Sequence, residues 1–107
     1  MKSDIQMLDI LSYDELASQV GMKFLIVRLP GSVEIELIKV TERRADRRQE
    51  SFSLVFLGPG KEVLPQCIYM LQREGVEAGS LFLVPTAMTE RGVEYEAAFN
   101  RLLENAA

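Results

Sequence analysis

Apolar and polar residues alternate along most of the chain after Gly21. A period of two is typical of strands that bury one face. Glycine and proline separate the alternating runs, as they do in turns between strands. The pattern predicts six strands, at about 23–29, 33–41, 51–57, 66–73, 80–85 and 92–100.

The connections between these predicted strands are short and contain no helical pattern. Neighbouring strands joined in this way run antiparallel. The expected fold is therefore mainly β: a six-stranded antiparallel meander that forms a small barrel or compact sandwich, with one short N-terminal helix.

Three strands carry patterns that predict their orientation. The strand at 51–57 turns Phe52, Leu54 and Phe56 inward, and the last strand does the same with Val93, Tyr95, Ala97 and Phe99. In the strand at 33–41 the apolar positions change face at Leu37-Ile38. A β-bulge there would restore the phase; burial of both faces, with the helix as cover, is the alternative.

The N-terminal helix is predicted from a capping box. Ser12 and Glu15 have the spacing at which the serine side chain accepts from the backbone of the glutamate. The helix is expected over 13–20, with Leu16 and Val20 on its buried stripe.

The length of 107 residues suits one domain. We expect a β domain at 12–100, an N-terminal extension at 1–11 and a C-terminal tail at 101–107. The first residues carry acids within an apolar run, unlike a signal peptide or a membrane anchor. With a single cysteine in the chain, this favours a cytoplasmic protein with no membrane contact.

The composition contains no histidine, which is the commonest general base and a usual zinc ligand. No catalytic constellation or metal-ligand spacing stands out, so we expect a non-enzymatic protein without a cofactor or metal. Cys67 has no histidine to activate it and is interpreted as a small, partly buried apolar residue.

The densest charged segment lies at 41–50 and contains four arginines, Arg43, Arg44, Arg47 and Arg48. Interleaved acids reduce its local charge, and it has no aromatic residue on which a base could stack. With a net charge of −4 for the chain, nucleic-acid binding is disfavoured. We interpret the segment as a solvated loop with internal ion pairs, and docking of another protein as its alternative role.

Two further features have simple structural interpretations. Glu34/Glu36 and Glu94/Glu96 are carboxylate pairs on one strand face each, and both faces are opposite the apolar residues. They are expected on the exposed sheet surface rather than in a hydrolytic or cation site. Gln66, at a strand start after proline, is expected to cap turn backbone groups or to contact a ligand at the barrel mouth.

Four ordered motifs support a resemblance. They are Phe52-Ser53-Leu54-x-Phe56-x-Gly58-Pro59, Leu64-Pro65-Gln66-x-x-Tyr69-x-Leu71, Leu81-Phe82-Leu83-Val84-Pro85 and Gly92-x-x-Tyr95-Glu96-Ala97-x-Phe99-Asn100. Over about 12–100 the chain resembles a family of small bacterial all-β proteins classed as a domain of unknown function. The resemblance implies a structural or assembly role linked to phage-tail-like systems, and it assigns no catalytic residues.

These observations favour a non-enzymatic interaction or assembly module whose partner is another protein or a second copy. The arginine segment or an open sheet edge would provide the contact. The alternative is a small-ligand-binding β-barrel, although six strands leave an interior that side chains alone can fill.

Overall fold

The computed structural model describes residues 7–103. The chain forms a 3-10 helix at Leu8–Ile10, α1 at Tyr13–Ala17, β1 at Lys23–Val27, β2 at Val33–Val40, β3 at Arg44–Ala45, β4 at Gln49–Gly58, β5 at Cys67–Arg73, β6 at Val76–Thr89 and β7 at Gly92–Leu102. The prediction of a mainly β fold with one short N-terminal helix is confirmed. All six predicted strands are present, but the pattern missed the two-residue β3 and both ends of the long β6.

The strands form one antiparallel sheet in the order β2-β1-β5-β6-β7-β4-β3, and β2 also pairs with β4. This last pairing closes a ring of six strands and leaves β3 outside it, beside β4. The ring consists of two three-stranded meanders, β1-β2-β4 and β5-β6-β7, that meet at the β1–β5 and β4–β7 ladders. Of the two expected forms, the small antiparallel barrel is therefore present. The expected single meander of six strands is wrong, because the third and fourth of the predicted strands, β4 and β5, do not pair with each other.

The ladders of the ring differ in length. β4 and β7 pair over ten residues, from Gln49 opposite Leu102 to Gly58 opposite Val93. β6 divides its length between two neighbours: residues 76–83 pair with β5, and residues 84–89 pair with β7. This division leaves a gap in the pairing between the first half of β6 and the second half of β7.

The interior of the ring is filled by apolar side chains from every strand of the ring. The largest fully buried side chains are Tyr95, Phe56, Leu8, Leu16, Ile26, Ile35, Leu37, Leu54, Leu64, Leu71, Leu83 and Val93. The buried Tyr95 hydroxyl accepts a hydrogen bond from the backbone N–H of Leu64 at 2.9 Å, so the aromatic residue brings no unsatisfied polar group into the core. The inward residues predicted for β4 and β7 are confirmed.

The predicted bulge in β2 is also confirmed. The register of β2 with β4 shifts between Leu37 and Lys39, and Ile38 is only half-buried. The extra residue lets β2 pair with β1 at one end and with β4 at the other, which bends the strand around the ring.

The N-terminal helix begins as predicted but is shorter. Ser12 Oγ accepts from the Glu15 N–H at 3.1 Å, and Glu15 Oε1 accepts from the Ser12 N–H at 2.9 Å, which completes the capping box. The helix ends at Ala17, and Val20 is 45% exposed, so its predicted burial is wrong. The chain after the helix pairs with the bulge instead, since the Gly21 N–H donates to the Leu37 carbonyl at 2.7 Å.

Residues 7–11, here called the strap, cover the gap between β6 and β7. Leu8 is packed in the core against β6, and the backbone N of Leu8 would lie 3.4 Å from a Cβ added at Gly79. On the other side Arg101 Nη2 donates to the Asp9 carbonyl at 3.1 Å. The strap, which was predicted as part of an N-terminal extension, thus packs against the barrel. At the other end β7 continues to Leu102, into the segment predicted as a C-terminal tail. Residues 1–6 of that extension and 104–107 of that tail lie outside the described residues.

Candidate functional site

The arginine segment folds as β3 and a tight turn that leads into β4. Asp46 Oδ1 accepts from the N–H groups of Arg48 at 2.8 Å and Gln49 at 3.0 Å. These two bonds favour the carboxylate and lower the pKa of Asp46 below its ordinary value of 3.8. The segment is therefore an ordered turn rather than an irregular loop.

The four predicted arginines are not brought together. Arg43 forms an ion pair with Glu50, whereas Arg44, Arg47 and Arg48 are exposed. Glu50 is only 8% exposed, and its second oxygen lies 3.7 Å from Nη1 of Arg101, which sequence analysis did not single out. Of the ion pairs expected within the segment one is present, Arg43 with the buried Glu50, and the second partner of this carboxylate comes from β7.

Aromatic rings pack against Arg101, one of the two partners of this carboxylate. The Arg101 guanidinium lies over the rings of Phe52 and Phe99, at 5.4 and 4.9 Å from their centroids, and the two rings stack. Tyr13 packs edge-on against Phe52 and donates from its hydroxyl to the Thr41 carbonyl at 3.0 Å. Cation–π contacts of this kind stabilise a cation that has lost part of its water.

An open cleft of about 540 Å³ lies above this cluster, lined by Ser12, Tyr13, Asp14, Arg43 and Glu50. Most of its polar groups are engaged within the protein: Ser12 in the helix cap, Tyr13 with Thr41, and Glu50 with two arginines. Asp14 is the exposed carboxylate at its rim. The cluster thus ties α1, β4 and β7 together.

The predicted carboxylate pairs lie on the outer surface, as expected. Leu57 on β4 is opposite Glu36 of β2 on one side and opposite Glu94 of β7 on the other. They are therefore about two strand spacings apart, or roughly 10 Å. Within residues 7–103 no group of three or more aspartate, glutamate or cysteine residues could hold a metal ion.

Gln66 and Cys67, which the sequence singled out, lie next to each other where β5 begins. Gln66 lies one residue before the strand and is exposed, and Cys67 is a free, exposed cysteine rather than a partly buried one. Cys67 is on the same face of β5 as Tyr69 and Leu71, but it is the first residue of the strand, and burial on that face begins only at Tyr69. Tyr69 donates to the Pro65 carbonyl at 2.6 Å, and burial raises the pKa of this tyrosine above 10.0.

The outer wall formed by β1, β5 and β6 is apolar. Across this wall Val27 is opposite Met70, and Ile68 is opposite Phe82. The exposed side chains that form it, here called the apolar face, are Leu25, Val27, Leu29, Ile68, Met70 and Phe82. Leu29 is 92% exposed, Ile68 67% and Phe82 51%, so these large side chains project into solvent.

Sequence analysis missed the apolar face, although the signal was present. The segments at 24–27 and 67–71 are continuously apolar instead of alternating. Such runs are typical of strands covered on both faces. In a closed ring one of those faces must point outward, and here it does so on neighbouring strands.

The closed ring with its filled interior defines the class: a small antiparallel β-barrel domain. The chain belongs to the family described as domain of unknown function DUF6916, whose model matches residues 11–99. The match includes α1 and the ring strands up to Phe99, and it confirms the resemblance to a family classed as a domain of unknown function. A search of curated proteins and a search of solved structures each gave no match. Across residues 7–103, none of the helices has both the length and the apolar character that crossing a membrane requires.

Proposed function

We propose that this protein is a non-enzymatic protein-interaction module and that the apolar face is the surface its partner binds. The observation that carries the proposal is the grouping of five exposed apolar side chains on three adjacent strands, with a sixth, Leu29, in the loop that follows β1. Contiguous exposed apolar patches of this kind mark interaction surfaces in small proteins.

The size of the apolar face supports this proposal. With about 30 Å² for each methylene-sized group and about 200 Å² for a phenylalanine, the exposed fractions sum to an area on the order of 400 Å². Removing this area from water would contribute about 10 kcal/mol before the entropy of association is subtracted. An area of this size is in the range of the largest apolar patch of a small protein, which is often a functional surface.

Other parts of the barrel support the alternatives less well. The interior is occupied by packed side chains, which favours a binding surface on the outside over a ligand inside. The ring pairs its strands with one another, so addition of a partner strand at an edge has little template beyond the short β3.

Docking through the exposed arginines stays a prediction for a second surface. In the six-stranded ring β4 lies opposite β5, so Arg44, Arg47 and Arg48, beside β4, are on the far wall from the apolar face. A role in assembly, in a bacterial phage-tail-like system, rests on the resemblance described above.

Site-specific photo-crosslinking in cells tests the proposed surface. A photoreactive residue at Met70, in the middle of the apolar face, is expected to give a discrete protein adduct that mass spectrometry can identify. The substitution Phe82→Glu in the same chain should abolish the adduct, because an unpaired charge in an apolar interface is costly to bury. The matched control is a photoreactive residue at Met88, which is 65% exposed at the far end of β6 and outside the apolar face.

Two results would contradict the proposed binding surface. One is the absence of any protein adduct from the photoreactive residue at Met70. The other is an adduct that forms as well in the Phe82→Glu variant as in the wild-type chain, when the two have the same circular dichroism.

A further inference from the structure

We infer that the partner of the apolar face is a second copy of this chain, joined through the same face in a two-fold dimer. The inference rests on the proposed function and names the partner. It has two independent supports: the area of the face and the distribution of charge around it.

The area matches one side of a dimer interface. A standard interface buries about 800 Å² on each partner, of which a little over half is apolar. The apolar face offers an area on the order of 400 Å², close to that apolar share. A rim of neutral side chains that includes Gln72, opposite Leu25, and Ser80, opposite Met70, would supply polar contacts at its edge.

The charges around the face are arranged so that two copies can meet. None of the six side chains of the face is ionisable, so the face offers no charge pattern for a differently charged partner. At one end Arg28 pairs with Glu62 at 2.9 Å. At the other end Lys23, Glu34 and Glu74 line the same cleft as Leu25. Each end therefore carries both signs, with an excess of one acid at the Lys23 end, and neither docking direction places charges of one sign alone against each other.

The ring also determines the kind of assembly. Its strands are paired with one another, so two copies associate through sheet faces rather than by sharing strands. A face that binds itself about a two-fold axis uses the same residues on both copies. The assembly closes at two chains and does not extend into a filament.

Sedimentation velocity of the purified full chain, from low micromolar to millimolar concentration, tests the dimer. We expect a concentration-dependent change from the monomer to the dimer mass and no larger species. Phe82→Glu and Ile68→Glu should each weaken dimerisation by a factor of about 10 or more, since each introduces a charge that the interface must bury. Met88→Glu introduces the same charge outside the face and should leave dimerisation unchanged.

Circular dichroism and thermal unfolding of each variant show whether it folds. If Phe82→Glu does not fold, the milder Ile68→Ser, at the most exposed strand position of the apolar face, provides the measurement. A wild-type chain that stays monomeric at all concentrations overturns the inference, as does a dimer that both face variants leave intact or a species that grows beyond two chains. A monomer in solution combined with a Met70 adduct to a different protein in cells overturns the dimer and leaves the proposed function standing. A monomer with no adduct overturns both.

Discussion

Among single residues, Glu50 is a charged side chain that is buried. Its carboxylate is buried beside β7, where Arg101 is its direct partner in the ladder, and Arg43 reaches it from the preceding segment. A buried carboxylate is tolerated only when opposite charges and hydrogen bonds replace its water. The ion pairs at Glu50 therefore hold the arginine segment against the barrel.

We predict that Glu50→Gln lowers the free energy of unfolding by about 1–3 kcal/mol, because two charge-assisted contacts are lost while both arginines can still reach some water. Denaturant unfolding monitored by circular dichroism provides the measurement. Glu90→Gln, the same change in the exposed β6–β7 turn, should alter stability by less than about 0.5 kcal/mol. Equal effects of the two substitutions would show that the Glu50 contacts add nothing to stability.

Asp46 gives the fold a dependence on acid pH. Hydrogen bonds from the N–H groups of Arg48 and Gln49 lower the pKa of Asp46 in the folded chain below 3.8. The stabilisation is complete above the unfolded pKa, near 3.8, and is lost as the pH falls through the lower folded pKa. An NMR titration of the carboxyl carbon should show the lowered pKa in the folded protein and a value near 3.8 in urea. A pKa that is the same in both states would contradict the hydrogen-bonded turn.

Among the elements, the five-residue strap completes the wall of the barrel. It closes the gap that the divided β6 leaves in the ring, with Leu8 inserted into the core and the Asp9 carbonyl bound by Arg101. Where β6 passes beside the strap, Gly79 adopts φ +114°, a backbone conformation that favours glycine. The end of the barrel is sealed by this segment rather than by strand pairing.

We predict that Leu8→Ala lowers the free energy of unfolding by about 2–5 kcal/mol, because it leaves a cavity under the strap. Ile10→Ala, in the same 3-10 helix, should change stability by less than about 0.5 kcal/mol, since Ile10 is 71% exposed. Hydrogen exchange should show faster opening of β6 in Leu8→Ala. Similar losses for the two variants would mean that burial under the strap is not what stabilises it.

For the whole molecule, the closed ring separates two surfaces. The inner surface is packed and lies around one continuous apolar cluster. The outer surface is polar where Glu36 and Glu94 flank Leu57, and apolar where β1, β5 and β6 adjoin. The proposed function concerns the apolar part of this outer surface.

A filled interior predicts that small ligands will not stabilise the protein. In a thermal-shift screen with lipids, nucleotides and flavins, we expect no rise in Tm, because a ligand raises stability only if it binds the native state. A reproducible rise that depends on ligand concentration would favour the small-ligand-binding barrel over the interaction module.

The sequence by itself determined the elements. Alternation located six strands, the Ser12–Glu15 spacing located the helix start, and the phase change at Leu37-Ile38 located the bulge. These features depend on local backbone geometry and on which side chains face one core, so they can be predicted from neighbours along the chain. The interleaved acids of the arginine segment likewise predicted ion pairs within it, of which the structure has one, between Arg43 and Glu50.

Only the tertiary structure decided which strands meet. The β1–β5 and β4–β7 ladders join residues far apart in the chain, and no local pattern specifies such pairings. Those ladders bring Arg101 to Glu50, and they bring the continuous apolar runs of β1 and β5 onto one outer wall. The apolar face, and with it the proposed site, exists because closing the ring buries one face of every strand and turns the other outward.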